Sequence, residues 1–524
     1  VWTADKEAKI VQYLASLSDA NDPGLAAGIL LDGKIVLEHY QGIANLEHQA
    51  PITPLSRFNI ASAAKQFTAL CILQLMHEGK LSLDDDFRTY LPSYFSELDT
   101  PITIKQLITH TSGVRDYCEL MSLQGTAWWK RVGLDNDDAL ALLADQVDLN
   151  FTPGTDYSYS NSNYTILAEL VEERSNMSFT DYTQQLFTTL GMTDSDFMKN
   201  YMRIIPHKVE PYSDWGDGVW KEYPMVVSLH GDGFLFTTLR DQLRYEQAIM
   251  DERLPFLAAS QNPIPGVDAA NYGYGLELQD RNNQQAVHHS GSTGSYSAQT
   301  VRYPSLNLSI VVMSNNSTLW SGTVADELFM LLQPQNKPNL TKKYTPPSPK
   351  NIPENINGTY LTSSGIYYSL KENGSNALLS RNGSDDRTLI QKEQGVYYWK
   401  DYPSVFYVVD LQDDGSQRLS IYNETGFLRM GNKLEPFTST SSYLKSLTGI
   451  YKNKETATSI ALTVDDNQLF IKRANKKRKQ ALKAVAKGDF VSPYYTIKME
   501  ENNDGTVDIL MTYETSRNVR FQKQ

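Results

Sequence analysis

The chain has 524 residues, room for roughly three or four domains at about 150 residues each, so a single compact unit is not expected. Apolar residues make up 40%, charged residues 21% and aromatics 11%, which excludes collagen-like, coiled-coil and wholly disordered chains. With 48 Lys plus Arg against 61 Asp plus Glu, the net charge of −13 would repel phosphate backbones and anionic lipid, so nucleic acid is not expected as a partner.

Two cysteines, Cys71 and Cys118, are too few for a disulfide framework or a structural zinc site, and the eight histidines show no HExxH or other zinc spacing. Neither a metal nor another cofactor is expected. No apolar run approaches the roughly 20 residues that cross a bilayer, so no transmembrane segment is expected. The chain begins at Val1 without an initiator Met, as after removal of an export signal or in an expressed fragment. A periplasmic or secreted location is favoured over a cytoplasmic one.

In chain order, Ile10, Tyr13, Leu14 and Leu17 recur at helical spacing. Residues 24 to 42 then alternate around Asp32-Gly33, the turn chemistry of an early hairpin. Phe67 to Met76, mostly apolar and stopped by Gly79, describe a long buried helix. Strand patterns return at Ala298 to Tyr303 and Leu308 to Ser314, followed by a helix over Val324 to Leu332. Strands at both ends of a 330-residue, helix-rich segment imply one antiparallel sheet whose edge elements come from the two termini.

Six prolines between Pro334 and Pro353 mark a linker. Beyond it the sequence repeats: Gly358-Thr359-Tyr360 recurs as Gly449-Ile450-Tyr451, and Asp414-Gly415 as Asp504-Gly505. Each copy is a succession of short hairpins without helix pattern, which predicts two small up-and-down barrels, a pair of open sheets being the alternative. The expected domains are therefore 1–333, a linker at 334–354, and barrels at 355–438 and 439–524. Residues 440 to 524 carry 15 basic against 9 acidic groups, with eight Lys and Arg between Lys472 and Lys487. That run is expected between two strands, either as a loop that gates a site or as a solvated loop.

Three clusters carry chemistry. Ser62-Ala63-Ala64-Lys65 opens the apolar helix, and one helical turn brings the two side chains to one face, so the amine eases removal of the serine proton. Ser442 to Lys445 has the same spacing without that context. Tyr159-x-Asn161 offers a phenolate base, its pKa lowered by an ammonium such as Lys65, and an amide to fix the substrate. Tyr451-x-Asn453 repeats that triplet. His289-Ser290-Gly291-Ser292 precedes a strand; the glycine lets substrate backbone approach, and the backbone N–H groups of Ser62 and Ser292 can form an oxyanion hole. Singly, each cluster has a plain structural explanation: a capped helix, a core tyrosine, a turn.

At these residues the sequence resembles the serine β-lactamase and penicillin-binding protein superfamily, in its class C-like branch. Ser62-x-x-Lys65, Tyr159-x-Asn161 and His289-x-Gly291 match its three motifs in order, and the segment from Leu107 to Gly113 and Gly231-Asp232-Gly233 look like its accessory landmarks, over about residues 5 to 333. The resemblance implies an α+β fold: an antiparallel sheet flanked by helices with a helical subdomain. It implies Ser62 as acylated nucleophile, Lys65 and Tyr159 as proton-transfer partners, and Asn161 as a substrate ligand beside His289 and Gly291. A catalytic domain followed by two barrels also looks like the three-domain D-aminopeptidases, whose barrels are lipocalin-like.

His289 stands where β-lactamases and DD-peptidases usually carry Lys, so recognition of a substrate carboxylate should be weaker. D-aminopeptidases and β-lactamase-like carboxylesterases fit that departure. The expectation is a serine hydrolase acting through an acyl-enzyme on Ser62, on a small ester, amide or D-amino-acid peptide. A β-lactamase or DD-carboxypeptidase is the alternative within the same chemistry, and an acylated penicillin-binding sensor without turnover is the alternative outside it. Homo-oligomerisation is left open.

Overall fold

A computed structural model describes residues 2–267, 271–333, 345–423, 426–474 and 476–524. The expected linker at 334–354 lies in large part, from 334 to 344, outside the described residues. The chain divides into two compact units, one of residues 1–118 and 127–338, the other of 119–126 and 339–524. Among the described residues, no helix is long and apolar enough to cross a membrane.

The first unit is built on a six-stranded antiparallel sheet in the order Glu277–Arg281, Gln284–Thr293, Tyr296–Tyr303, Leu308–Ser314, Leu25–Leu31, Lys34–Gln41. The N-terminal hairpin joins the C-terminal strands in the register Leu25↔Ser314 to Leu31↔Leu308. The alternation read across that hairpin does not show in its burial, Lys34–Gln41 being half-buried along most of its length. All seven residues of Leu25–Leu31 are buried because both faces of the sheet are covered there. On one face, Ala27, Ile29, Ile310 and Val312 pack against Ile10 and Leu14 of helix Ala4–Ala15 and Leu328 and Phe329 of helix Ser321–Leu332. On the other, a Cβ at Gly28 would come 2.7 Å from Leu243, so helix Leu239–Met250 lies directly on the strand.

The helix Lys65–His77 is buried from Lys65 through Leu73, as an element apolar on every side must be. One ion pair ties it, helix Leu239–Met250 and the sheet together. Arg302, on strand Tyr296–Tyr303, makes a bidentate contact with Glu246 at 2.6 and 2.8 Å and donates to Gln66 Oε1 at 2.8 Å. The two charged side chains are 6% and 0% exposed. Glu246→Ala would leave the guanidinium buried without its carboxylate, so we expect a loss of roughly 3–5 kcal/mol in urea unfolding. A change below about 1 kcal/mol would mean that water reaches Arg302 and replaces the lost partner.

The second unit contains two closed antiparallel barrels of eight strands each, running from Gly358–Thr362 to Gly426–Lys433 and from Gly449–Asn453 to Val519–Lys523. Open sheets are thereby excluded: first and last strands pair through Tyr360↔Lys433 and Tyr451↔Lys523. The repeated Gly-x-Tyr is one device used twice. Tyr360 Oη donates to the carbonyl four residues back at Ile356, 2.8 Å, and Tyr451 Oη to that of Leu447, 2.8 Å. The leading glycines, at φ 147° and 148°, adopt a backbone that a side chain would strain, and the closing lysine lies against each of them. The repeated Asp-Gly turns match as well, with Asp414 Oδ1 accepting from Ser416 N–H and Asp504 Oδ1 from Thr506 N–H, both at 2.9 Å.

Side chains fill the first barrel, Tyr360, Leu370, Leu379, Leu389, Val409 and Leu419 among them. Of the basic run, Lys476 to Lys479 lie in the turn between strands Gln468–Arg473 and Gln480–Ala486, with Lys479 paired to Asp465 at 2.7 Å; Asn475 is outside the described residues. The second Ser-x-x-Lys sits on the short helix Ser441–Ser446, and the second Tyr-x-Asn is structural, Asn453 Nδ2 donating to the Arg520 carbonyl.

Candidate active site

Ser62 lies in a 3-10 turn, Ala61–Ala64, that runs directly into the helix beginning at Lys65. The turn is held at a fixed, strained angle. Ala61 has φ 47°, a left-handed conformation costly for a residue with a Cβ, and its N–H is pinned by Asn59 Oδ1 at 2.9 Å. From below, strand Gln284–Thr293 presses against it: a Cβ on Gly291 would lie 2.0 Å from the Ile60 carbonyl oxygen and 3.0 Å from Ala63 N. This corrects the reading of Gly291 as an opening for substrate backbone, because the chain that approaches is the protein's own.

The Lys65 ammonium is the centre of the site. Its Nζ donates to Ser62 Oγ at 3.1 Å, to Asn161 Oδ1 at 2.8 Å and to the Asp232 carbonyl at 2.5 Å. Burial pushes its pKa down to about 8, although the Asp232 and Asp116 carboxylates favour the charged form. Asn161 is oriented from its other end, Asp116 Oδ2 accepting from both its backbone N–H at 2.8 Å and its Nδ2 at 2.9 Å. Both ends of the Asn161 amide are therefore engaged within the protein, and the expected substrate ligand is first of all a positioner of Lys65.

Tyr159 is brought beside this pair, with Lys65 Nζ 5.0 Å from its ring centroid. Its hydroxyl is enclosed and makes no hydrogen bond. The expected phenolate is corrected. Burial drives the phenol well above its ordinary value, Asp232, Glu277 and Asp116 push the same way, and the Ser62 hydroxyl is the neighbour that pulls it down. Tyr159 is thus held as a phenol, a proton donor and not a standing base.

His289 is 2% exposed, and burial, with Lys65 and His288 adding, pushes its pKa down to about 3. Its partners fix the tautomer. Nδ1 faces the Ser290 carbonyl at 2.5 Å, so it carries the proton, and Nε2 accepts from Tyr272 Oη at 2.9 Å. The imidazole is neutral and tied on both sides, unlike the cation expected of a carboxylate receptor. Beyond it, Thr293↔Tyr296 closes a two-residue turn, which makes Ser292↔Ser297 a non-hydrogen-bonded pair and points the Ser292 N–H away from its neighbouring strand.

Four further groups complete the site. Asp116 anchors Asn161, Tyr272 caps His289, and the His110 ring lies tilted against that of Tyr159, centroids 4.2 Å apart, while its Nδ1 accepts from Ser160 N–H. Asp232 holds Lys65 through its carbonyl and accepts from Tyr117 Oη at 2.7 Å through Oδ2; burial raises its carboxyl to about 6. Asp232 and His110 stand inside the two accessory landmarks, which had no chemistry attached. Asp116 follows one of them closely, and Tyr272 has no local signal at all.

A family model described as Beta-lactamase matches residues 8–332, more than half of the chain. A D-aminopeptidase of Brucella anthropi is 30% identical over 319 residues, an alignment that spans 59% of this chain and 58% of the relative's own length. The fold is shared with an octameric penicillin-binding protein homologue from Pyrococcus abyssi, with TM-score 0.58 and 21% identity over 91% of this chain and 99% of that one. It is shared also with a D-amino acid amidase from Ochrobactrum anthropi, with TM-score 0.54 and 18% identity over 63% and 100%. The chain belongs to the beta-lactamase family. Its resemblance to the D-aminopeptidases, expected from motifs and architecture, is carried by the Brucella relative.

The packing under Ser62 generates a test. Gly291→Ala would drive a methyl into the Ile60 carbonyl, so it should slow phosphonate labelling of Ser62 by about a hundredfold or more, with the rest of the domain folded. Labelling at the parental rate would mean that the strand can retreat without moving the turn.

Proposed function

We propose that this chain is a serine hydrolase that cleaves small amide or ester bonds through an acyl-enzyme on Ser62. The observation that carries the reading is the buried Lys65 amine, 3.1 Å from Ser62 Oγ and with its pKa lowered to about 8. The unprotonated amine takes the serine proton as Oγ adds to the substrate carbonyl carbon. Negative charge then develops on the carbonyl oxygen, opposite the N–H groups of Ser62 and Ser292. As the tetrahedral adduct collapses, the Tyr159 phenol gives its proton to the departing nitrogen or oxygen and recovers one from the Lys65 ammonium, so the acyl-enzyme forms with both groups restored. Water repeats the sequence to release the acid.

The substrates favoured are amides and esters without a carboxylate beside the scissile bond, since His289 is neutral and engaged by Tyr272. The D-aminopeptidase relative supports N-terminally unblocked D-residues among them. A β-lactamase or DD-carboxypeptidase reading shares the nucleophile but lacks the cation.

Turnover of a p-nitrophenyl ester, a D-alanine anilide and an anionic chromogenic cephalosporin decides between these readings. The ester and the anilide should turn over steadily and the cephalosporin poorly. Ser62→Ala should abolish both turnover and phosphonate labelling, and Tyr159→Phe should lower kcat by about a hundredfold. Stoichiometric labelling without turnover of any of the three would make the protein an acylated sensor, and labelling that survives Ser62→Ala would move the nucleophile elsewhere.

A further inference from the structure

Three arginines point into the first barrel. Arg381 lies opposite Tyr368, Arg387 opposite Leu379 and Arg429 opposite Ile421, and all three partners belong to the barrel core. Directly opposed residues of an antiparallel pair share a face, so the arginine side chains are on the inner one. They gather at the mouth where strand Asn376–Arg381 turns into strand Arg387–Glu393. There burial pushes the Tyr407 phenol up to about 12, Tyr368 adds to that, and Arg387 and Arg429 both pull it down, so one phenol feels both guanidinium groups. Arg387 also lies over the Trp399 ring, 4.4 Å from its centroid.

The fold does not call for these charges, as the second barrel shows. Its equivalent pairs are Ile460↔Arg473, Ile471↔Gln480 and Met511↔Val519. Only one arginine remains, and its surroundings are closed by neutral groups. Arg473 Nη1 donates to Tyr513 Oη at 3.1 Å, Tyr495 Oη donates to Gln480 Oε1 at 2.8 Å, and Val519 is fully buried.

In the first barrel the arginines lack such partners. Arg381 meets only the Glu514 carboxylate, at 3.7 Å and itself 70% exposed, and its Nε is enclosed without a hydrogen bond. Arg387 and Arg429 are half-buried and form no ion pair among the described residues; Asp385 and Asp386, in the turn before Arg387, are exposed and pair with neither. A long contact to an exposed carboxylate is weak, and a partly buried guanidinium without a counter-charge costs free energy. Three positive charges against one negative leave an excess of two.

We propose that this mouth binds a phosphate group, free or as a small monoester, held by Arg387 and Arg429 with Arg381 beside them. Planar guanidinium forks match the oxygen edges of phosphate, and the charge of a monoester, about −1.5 to −2 at pH 7, meets the excess. A single carboxylate would leave half of it unmet. The inference does not rest on the hydrolase reading.

Calorimetric titration of the full chain with phenyl phosphate, inorganic phosphate and benzoate, in phosphate-free buffer, tests it. Phenyl phosphate should bind about tenfold or more tightly than benzoate, the range of one added charge-assisted hydrogen bond. Inorganic phosphate bound as tightly as phenyl phosphate would identify the free ion as the ligand, and a preference for phenyl phosphate would identify an ester. Arg387→Gln combined with Arg429→Val installs the residues that the second barrel uses. That variant should keep its circular dichroism and melt no lower than the parental protein, because charges that repel are removed, while its affinity for phenyl phosphate falls about a hundredfold or more. An unchanged affinity in the folded variant would overturn the inference. So would benzoate bound as tightly as phenyl phosphate, or no heat from phenyl phosphate at millimolar concentration, two results that need no variant. A variant that melts well below the parental protein would overturn it as well, since the arginines would then serve to hold the barrel.

Discussion

A lysine amine buried at the start of a buried helix is the constraint on which the site depends. An ammonium removed from water must find an acceptor for each proton or give one up, and Lys65 does part of both. Its three acceptors come from the Ser62 turn, from helix Asn161–Ser175 and from the loop at Asp232, the last two lying 96 and 167 residues from Lys65 in the chain. Bringing them together is the work of the rest of the first unit. Asp116 orients Asn161, Tyr117 ties Asp232, and the Arg302–Glu246 pair fixes Gln66, the residue after Lys65, to the sheet.

The second constraint is steric. The serine turn is wedged between Asn59, which holds the left-handed Ala61, and a strand stripped of its side chain at Gly291. The strain at Ala61 persists because packing on both sides over-determines the turn. Both devices hold the Ser62 turn in one geometry, which under the proposed mechanism leaves little reorganisation for the step in which charge develops.

Much of the architecture was legible in the sequence, because the signals were local. Apolar spacing marked the helices at both ends of the first unit and the buried helix after Ser62, and Asp32-Gly33 marked the hairpin. The Gly-x-Tyr repeat marked the two barrels, since each copy specifies the same tyrosine bond and the same closure. The three motifs located Ser62, Lys65, Tyr159 and His289 within one site. What the motifs did not carry was the state of their members. Tyr159 reads as a phenolate when only the nearby ammonium is considered, and the desolvation that reverses this arises from Tyr272, His110 and their neighbours, which no spacing connects to it. Asp232 was visible only as the middle of a glycine landmark, because its contacts with Lys65 and Tyr117 are made by the fold and follow from no spacing in the sequence.

The account turns on Lys65 as the group that accepts the serine proton. The most direct test is the pH dependence of the rate at which a neutral phosphonate ester phosphonylates Ser62, its leaving group departing as the P–Oγ bond forms, followed as a single labelling event so that later steps do not intrude. A group whose pKa is lowered to about 8 and which works as the free amine predicts a rate that rises tenfold per pH unit below 8 and levels off above it. A rate still climbing at pH 9.5, as an ordinary lysine or a phenol would give, would contradict it; so would a rate independent of pH between 6 and 9.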